Sequence, residues 1–95
     1  MASASSNQCY QISAYGQVQG VGFRKTAYKQ AKALDLLGFV ENRPDGSVLI
    51  EIEGEQAKTG DFINWCLTGP LHRFIEDFNY KEVPLRSYVS FDIKV

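Results

Sequence analysis

Apolar and polar positions alternate first over Cys9 to Tyr15, with Tyr10, Ile12 and Ala14 on one face, and this period of two predicts a strand. From Phe23 the period changes. Phe23, Ala27, Ala31, Leu34 and Leu37 recur at helical spacing, while Lys25, Lys29 and Lys32 form a stripe on another face, expected to be solvated. Gly38 follows as the expected helix stop, in the left-handed position where helices commonly end. Phe39 to Arg43 makes a short strand, and Pro44-Asp45-Gly46 is a turn in which proline fixes φ and glycine supplies the open conformation. Beyond it Val48, Ile50 and Ile52 alternate against Leu49, Glu51 and Glu53. One face is apolar and the other mostly charged, which predicts a hairpin in an antiparallel sheet with one covered side.

Gly54 and Glu55 lead into a second helix with Phe62, Ile63 and Cys66 on its inner face, Trp65 packing at its edge, and Gly69-Pro70 as its end. Gly60 weakens its middle, since glycine costs ~1 kcal/mol against alanine in a helix. The single histidine, His72, falls in the loop that follows and is expected to face solvent. Ile75, Phe78 and Tyr80 break strict alternation, and a fourth strand bulged near Glu76 and Asp77 reconciles them. Pro84 interrupts the pattern, and Val89, Phe91, Ile93 and Val95 alternate as a final strand. The order strand, helix, strand, strand, helix, strand fits a split βαβ arrangement of the ferredoxin-like kind. The expected fold is an α+β sandwich, βαββαβ, with a four-stranded antiparallel sheet and both helices on one face. In that layout the end of the first strand and Asn42 on the second lie on the same side of the molecule.

Ninety-five residues make one domain, expected over residues 9–95 with a flexible tail over residues 1–8. An apolar fraction of 44% and an aromatic fraction of 13% suit a compact fold rather than a disordered chain. A net charge of −1 gives no reason to expect nucleic acid, and no apolar run approaches membrane-spanning length. An RNA-binding sheet would need exposed aromatics within positive charge on its third strand, where Glu51 and Glu53 stand instead. The first seven residues carry neither a basic nor an apolar segment, so they do not resemble a secretion signal, and the expected location is cytoplasmic. Cys9 and Cys66 sit in separate elements without metal-ligand spacing, and with one histidine in the chain no metal site is expected. Both cysteines are read as reduced, buried small hydrophobes.

The chemistry concentrates in Gly16-Gln17-Val18-Gln19-Gly20-Val21-Gly22-Phe23-Arg24, between the first strand and the first helix. Glycines at 16, 20 and 22 let backbone N–H groups point into a concavity. At a helix N-terminus such a nest attracts anions. Arg24 lies in the first turn, where the dipole disfavours a cation by a few tenths of a kcal/mol to ~1. An anion held between loop amides and the guanidinium resolves that conflict, and phosphate fits the geometry. The spacing matches neither the dinucleotide nor the nucleoside-triphosphate loop pattern. A plain strand-to-helix turn followed by a surface arginine is the competing reading of these residues.

With this loop, Gly38-Phe39-Val40-Glu41-Asn42 and Asp45-Gly46-Ser47-Val48, the sequence resembles the acylphosphatase family from about Cys9 to Val95. Gly54 with Glu55 and Trp65…Gly69-Pro70 also fit. The resemblance implies metal-independent, cofactor-free hydrolysis of an acyl phosphate to a carboxylate and inorganic phosphate. It implies that Arg24 and the amides of Gln19, Gly20, Val21, Gly22, Phe23 and Arg24 bind the phosphate, and that Asn42 orients the attacking water. Arg24 and Asn42 are then the catalytic residues. The implied partners are a small-molecule acyl phosphate and inorganic phosphate as product and inhibitor, with neither nucleic acid nor membrane, for a monomer. The chain departs from the family pattern at Gln17, Ala27 and Phe39, where a basic residue, threonine and tryptophan are frequent.

Overall fold

The computed structural model describes residues 6–95. Strand β1 (Asn7–Gly16) leads into helix α1 (Phe23–Ala33), strands β2 (Leu37–Asn42) and β3 (Val48–Glu55), and helix α2 (Gln56–Thr68). A short 3-10 turn (His72–Phe74) precedes strand β4 (Ile75–Val83), and strand β5 (Phe91–Lys94) closes the sheet. β1 starts two residues ahead of the alternation, at Asn7, and residues 1–5 of the expected tail lie outside the described residues. The α+β ferredoxin-like class holds, with Phe23, Ala27 and Ala31 of α1 and Phe62, Ile63 and Cys66 of α2 packed on Ile12, Ala14, Val40, Val48, Ile50 and Ile52 of the sheet. The bulge falls where expected: Tyr15 pairs with Asp77 and Gly16 with Ile75, leaving Glu76 as the extra residue.

The sheet has five strands rather than four, in the order β4-β1-β3-β2-β5, and β5 runs parallel to β2. The reason is the segment between Val83 and Phe91. β4 and β5 occupy opposite edges, so this segment must cross the whole outer face. Four inter-strand steps of ~4.8 Å make about 19 Å, and the eight Cα steps from Val83 to Phe91 at ~3.3 Å reach about 26 Å, so the segment is long enough to cross in an extended form. Val89 belongs to this strap, is 91% exposed, and is not part of the final strand.

The strap also changes β3, whose outer residues Leu49, Glu51 and Glu53 are buried rather than solvated. The Glu53 carboxylate accepts the backbone N–H groups of Arg86 (2.6 Å), Ser87 (3.1 Å) and Tyr88 (2.8 Å). Glu51 accepts from the Tyr88 hydroxyl and from Gln11 Nε2 at 2.9 Å, and pairs with Arg86 Nε at 3.4 Å. Burial alone would push the Glu51 carboxyl up; the hydrogen bonds from Tyr88 and Gln11, with Arg86, hold it below its ordinary value.

Gly38 does not end the helix. α1 stops at Ala33, and Asp35 takes the left-handed position with φ 58°. Leu36 N–H then bonds the Ala31 carbonyl (2.9 Å) and Asp35 N–H the Lys32 carbonyl (3.1 Å), the paired closure of a Schellman motif. Leu34 is the helix cap and Leu37 already belongs to β2. Gly38 is required for another reason: with φ 136°, a Cβ there would lie 2.0 Å from the Glu51 carbonyl oxygen. Trp65 packs at the helix edge against Phe62, ring centroids 5.6 Å apart, and His72 is exposed. Cys9 and Cys66 are both free and buried.

Candidate active site

Pairing sets which residues face α1. Val40 opposes Ile50 and Asn42 opposes Val48, so Asn42 continues the helix-facing side of β2 past the core. Ile93 pairs with Val40 and faces the same way on β5. The glycine loop arrives from β1, where Ala14 also opposes Val48. The loop, Asn42 and the end of β5 therefore converge at one end of the sheet.

Gly20 and Gly22 both adopt positive φ, 79° and 78°, and neither would meet any atom within 4 Å if given a Cβ. Backbone conformation, not crowding, calls for glycine at both places. Gly22 is the N-cap of α1, with no side-chain cap and no acidic residue in the first turn. The first-turn amides are thus left for an external acceptor.

Three hydrogen-bonded anchors hold this loop and the hairpin beside it. Gln19 Nε2 donates to the carbonyls of Arg43 (2.8 Å) and Ser47 (2.9 Å), clamping the loop to the β2–β3 turn. That turn is closed by Asp45, whose Oδ1 accepts the Ser47 N–H (2.9 Å) and hydroxyl (2.6 Å), bonds that hold the Asp45 carboxyl below its ordinary value. Arg24 Nη1 donates to the Lys94 carbonyl at 2.8 Å, so β5 fixes one side of the guanidinium.

Between these elements lies a cavity of about 450 Å³ lined by Val18, Gly20, Gly22, Phe23, Arg24, Lys25, Tyr28, Lys29, Asn42 and Ile93. Of the site residues expected from sequence, Gly20, Gly22, Phe23, Arg24 and Asn42 meet on its wall. Gln19 and Val21 do not: the Gln19 side chain serves as the clamp, and Val21 is 40% exposed outside the lining. Asn42 Oδ1 is buried and accepts from no protein donor, the one such side-chain atom among the described residues. Lys25 and Lys29 are exposed, as expected of a solvated stripe, and they also border the cavity, where Ile93 of β5 forms another part of the wall. The Gln19 clamp and the Lys94 carbonyl were missed by sequence reasoning. A polar Gln19 between Val18 and Gly20 was the only signal for the first, and a backbone acceptor 70 residues from Arg24 leaves none.

A slightly larger depression, about 510 Å³, lies at the opposite end of the sheet. Its wall carries Asp35, Glu53 and Glu55 against the single cation Lys58, the wrong sign for a phosphorylated substrate. Among the described residues no group of metal-ligating side chains forms, and no helix is long and apolar enough to cross a membrane.

Fold and site place the chain among ferredoxin-like α+β sandwiches with a glycine loop bordering a cavity at one end of the sheet. Within that class it belongs to the acylphosphatase family, whose model matches residues 10–93. An acylphosphatase of Legionella pneumophila (strain Paris) is 34% identical over 85 residues, covering 90% of this chain and 93% of that one. An acylphosphatase of Anaeromyxobacter dehalogenans is 47% identical over 55 residues, 58% of this chain and 59% of that protein. The crystal structure of acylphosphatase from Bacillus subtilis superposes with a TM-score of 0.85 at 32% identity, covering 93% of this chain and 99% of that one. The protein is an acylphosphatase, a hydrolase acting on acid anhydrides, and its substrate is a small-molecule acyl phosphate.

Proposed function

We propose that Arg24 and the amides from Gln19 to Arg24 hold the phosphoryl group while Asn42 orients the attacking water. The observation that carries this reading is the buried, protein-unpartnered Oδ1 of Asn42 in the same wall as Gly20, Gly22 and Arg24. A buried acceptor left unpaired costs free energy, so its proton donor is sought outside the protein. Water beside a bound phosphoryl group is that donor.

The division of labour suits the reaction. Phosphoryl transfer asks mainly for positioning and charge stabilisation. Donors preset toward the phosphoryl oxygens act as an oxyanion hole, and Arg24, steadied by the Lys94 carbonyl, adds a full positive charge. The water oxygen forms a bond to phosphorus as the bond to the acyl oxygen breaks. The acyl carboxylate leaves with that electron pair, and the water's proton passes to a phosphoryl oxygen. Asn42 is neutral, so it accepts from water without repelling the phosphoryl charge, as an aspartate there would. Charge neutralisation by Arg24 and the amides needs no metal ion.

The enzyme acts as a cytoplasmic monomer, with inorganic phosphate as product and inhibitor. Two free, buried thiols suit a reducing compartment. Benzoyl phosphate hydrolysis in excess EDTA tests the metal-free mechanism: turnover persists undiminished. Loss of turnover in EDTA, restored by a divalent cation, would overturn it.

A further inference from the structure

Little apolar burial holds the strap between β4 and β5. Of residues 84–90 all but Tyr88 are exposed, with Leu85 at 56% and Val89 at 91%. The backbone is held instead. The N–H groups of Arg86, Ser87 and Tyr88 all donate to one carboxylate, that of Glu53, which is itself buried. Ser87 takes a left-handed φ of 60°, a conformation serine adopts rarely, and this aims successive donors at one point. Such a conformation persists only where its surroundings impose it. Glu51 binds the Tyr88 and Arg86 side chains of the same segment but leaves their backbone to Glu53.

What this seat positions lies downstream. Three residues after Tyr88 the chain enters β5, which pairs with β2 on one side only, as an edge strand. Only Phe91 of its four residues is buried. One buried side chain fixes a point of a short strand but not its direction, and the seated strap supplies the second point. At the far end the Lys94 carbonyl accepts from Arg24 Nη1. Glu53 opposes Leu37 and Lys94 opposes Glu41, four positions further along β2, which is about 13 Å of strand. The carboxylate is therefore too distant to touch the site and reaches it only by way of strap and strand.

We infer that Glu53 is a positioning residue of the reaction: by seating residues 86–88 it sets the line of β5, and with it the Lys94 carbonyl that steadies Arg24. Without the seat β5 pivots about Phe91, the Lys94 carbonyl draws away, and the guanidinium loses the orientation that phosphoryl oxygens require. This rests on the reading of Arg24 as the residue that holds the phosphoryl group.

The test is a double-mutant cycle with inorganic phosphate as the probe. Affinity is read from amide NMR signals of the folded molecules, so a loss of stability does not by itself enter the result. Glu53→Gln weakens phosphate by roughly two- to thirty-fold, the range of remote couplings, and lowers kcat for benzoyl phosphate. Added to Arg24→Ala, it weakens phosphate no further. Cys66→Ala, a core change in α2 away from the strap, lowers Tm and leaves both quantities at their wild-type values. Glu53→Asp keeps the charge but draws it back from the strap; it gives the same pattern with a smaller effect and completes the cycle if Glu53→Gln does not fold. A Glu53 variant that loses Tm yet binds phosphate and turns over like the wild type makes the carboxylate an anchor of the fold alone, which overturns the inference. Equal weakening with and without Arg24 overturns it too. If Arg24→Ala binds phosphate as tightly as the wild type, the phosphoryl site is misassigned and both readings fall. If Arg24→Ala binds weakly while the Glu53 variants bind normally, only the present one does.

Discussion

Replacing Asn42 by leucine should separate stability from catalysis. Leucine keeps the side chain's approximate volume and removes the buried acceptor that no protein group satisfies. Leaving such an atom unpaired costs ~1–3 kcal/mol, so Asn42→Leu is expected to fold as stably as the wild type or up to about that much better. In a domain of this length each 1 kcal/mol moves Tm by roughly 4–8 °C. The rate should move the other way. Losing one preset polar group at the reacting centre typically lowers kcat by roughly 10²–10³. Differential scanning calorimetry and a benzoyl phosphate assay on one preparation read both quantities, and inhibition by inorganic phosphate supplies a third. The phosphate inhibition constant should stay within about two-fold, because Asn42 steers water rather than the phosphoryl group. A fall in Tm of more than a few degrees would make the carboxamide a structural element. A phosphate constant weakened as much as kcat would make it a binding group. Either result refutes the assignment.

Other perturbations have equally definite outcomes. Arg24→Ala should lower turnover by roughly 10³ or more and weaken phosphate inhibition in parallel, in contrast to Asn42→Leu. Gly60→Ala should raise stability by about 0.5–1 kcal/mol in a chemical denaturation series, because a Cβ in α2 at that position meets nothing within 4 Å. The Glu51 carboxyl, held below its ordinary 4.5 when folded, binds fewer protons in the native than in the unfolded state between those two values. Its contribution is therefore present above pH 4.5 and lost as pH falls through the folded value, so Glu51→Gln should flatten the acid limb of a stability-versus-pH profile below pH 4.5. An unchanged acid limb would show that the carboxylate is not coupled to folding.

The parts of this molecule legible from sequence are those whose cause is local. The alternation over Tyr10, Ile12 and Ala14, and over Val48, Ile50 and Ile52, names the helix-facing side of two strands directly. Asn42, two residues beyond the core residue Val40, shares its face; the order of elements, through the layout it implies, had put it on the side of the glycine loop. The glycine loop announced itself because positive φ at residues 20 and 22 admits few other residues. What escaped depends on distant partners. Glu51 and Glu53 have the pattern of a solvated face, and only the arrival of residues 86–88 turns them into buried acceptors. The parallel pairing of Gly38 with Phe91 requires the strap to cross first, and no nearby turn signals it. Lys25 and Lys29 are the exposed residues their spacing suggests, but that they border a cavity depends on Ile93 of that same late edge strand.

The bond from Arg24 to the Lys94 carbonyl spans 70 positions. A nascent chain that has emerged only as far as the hairpin possesses the whole glycine loop and Asn42, yet nothing to steady the guanidinium. On the proposed role of Arg24, an activity trace during refolding therefore follows the arrival of β5 on β2, a pairing of residues 53 positions apart (Gly38 with Phe91).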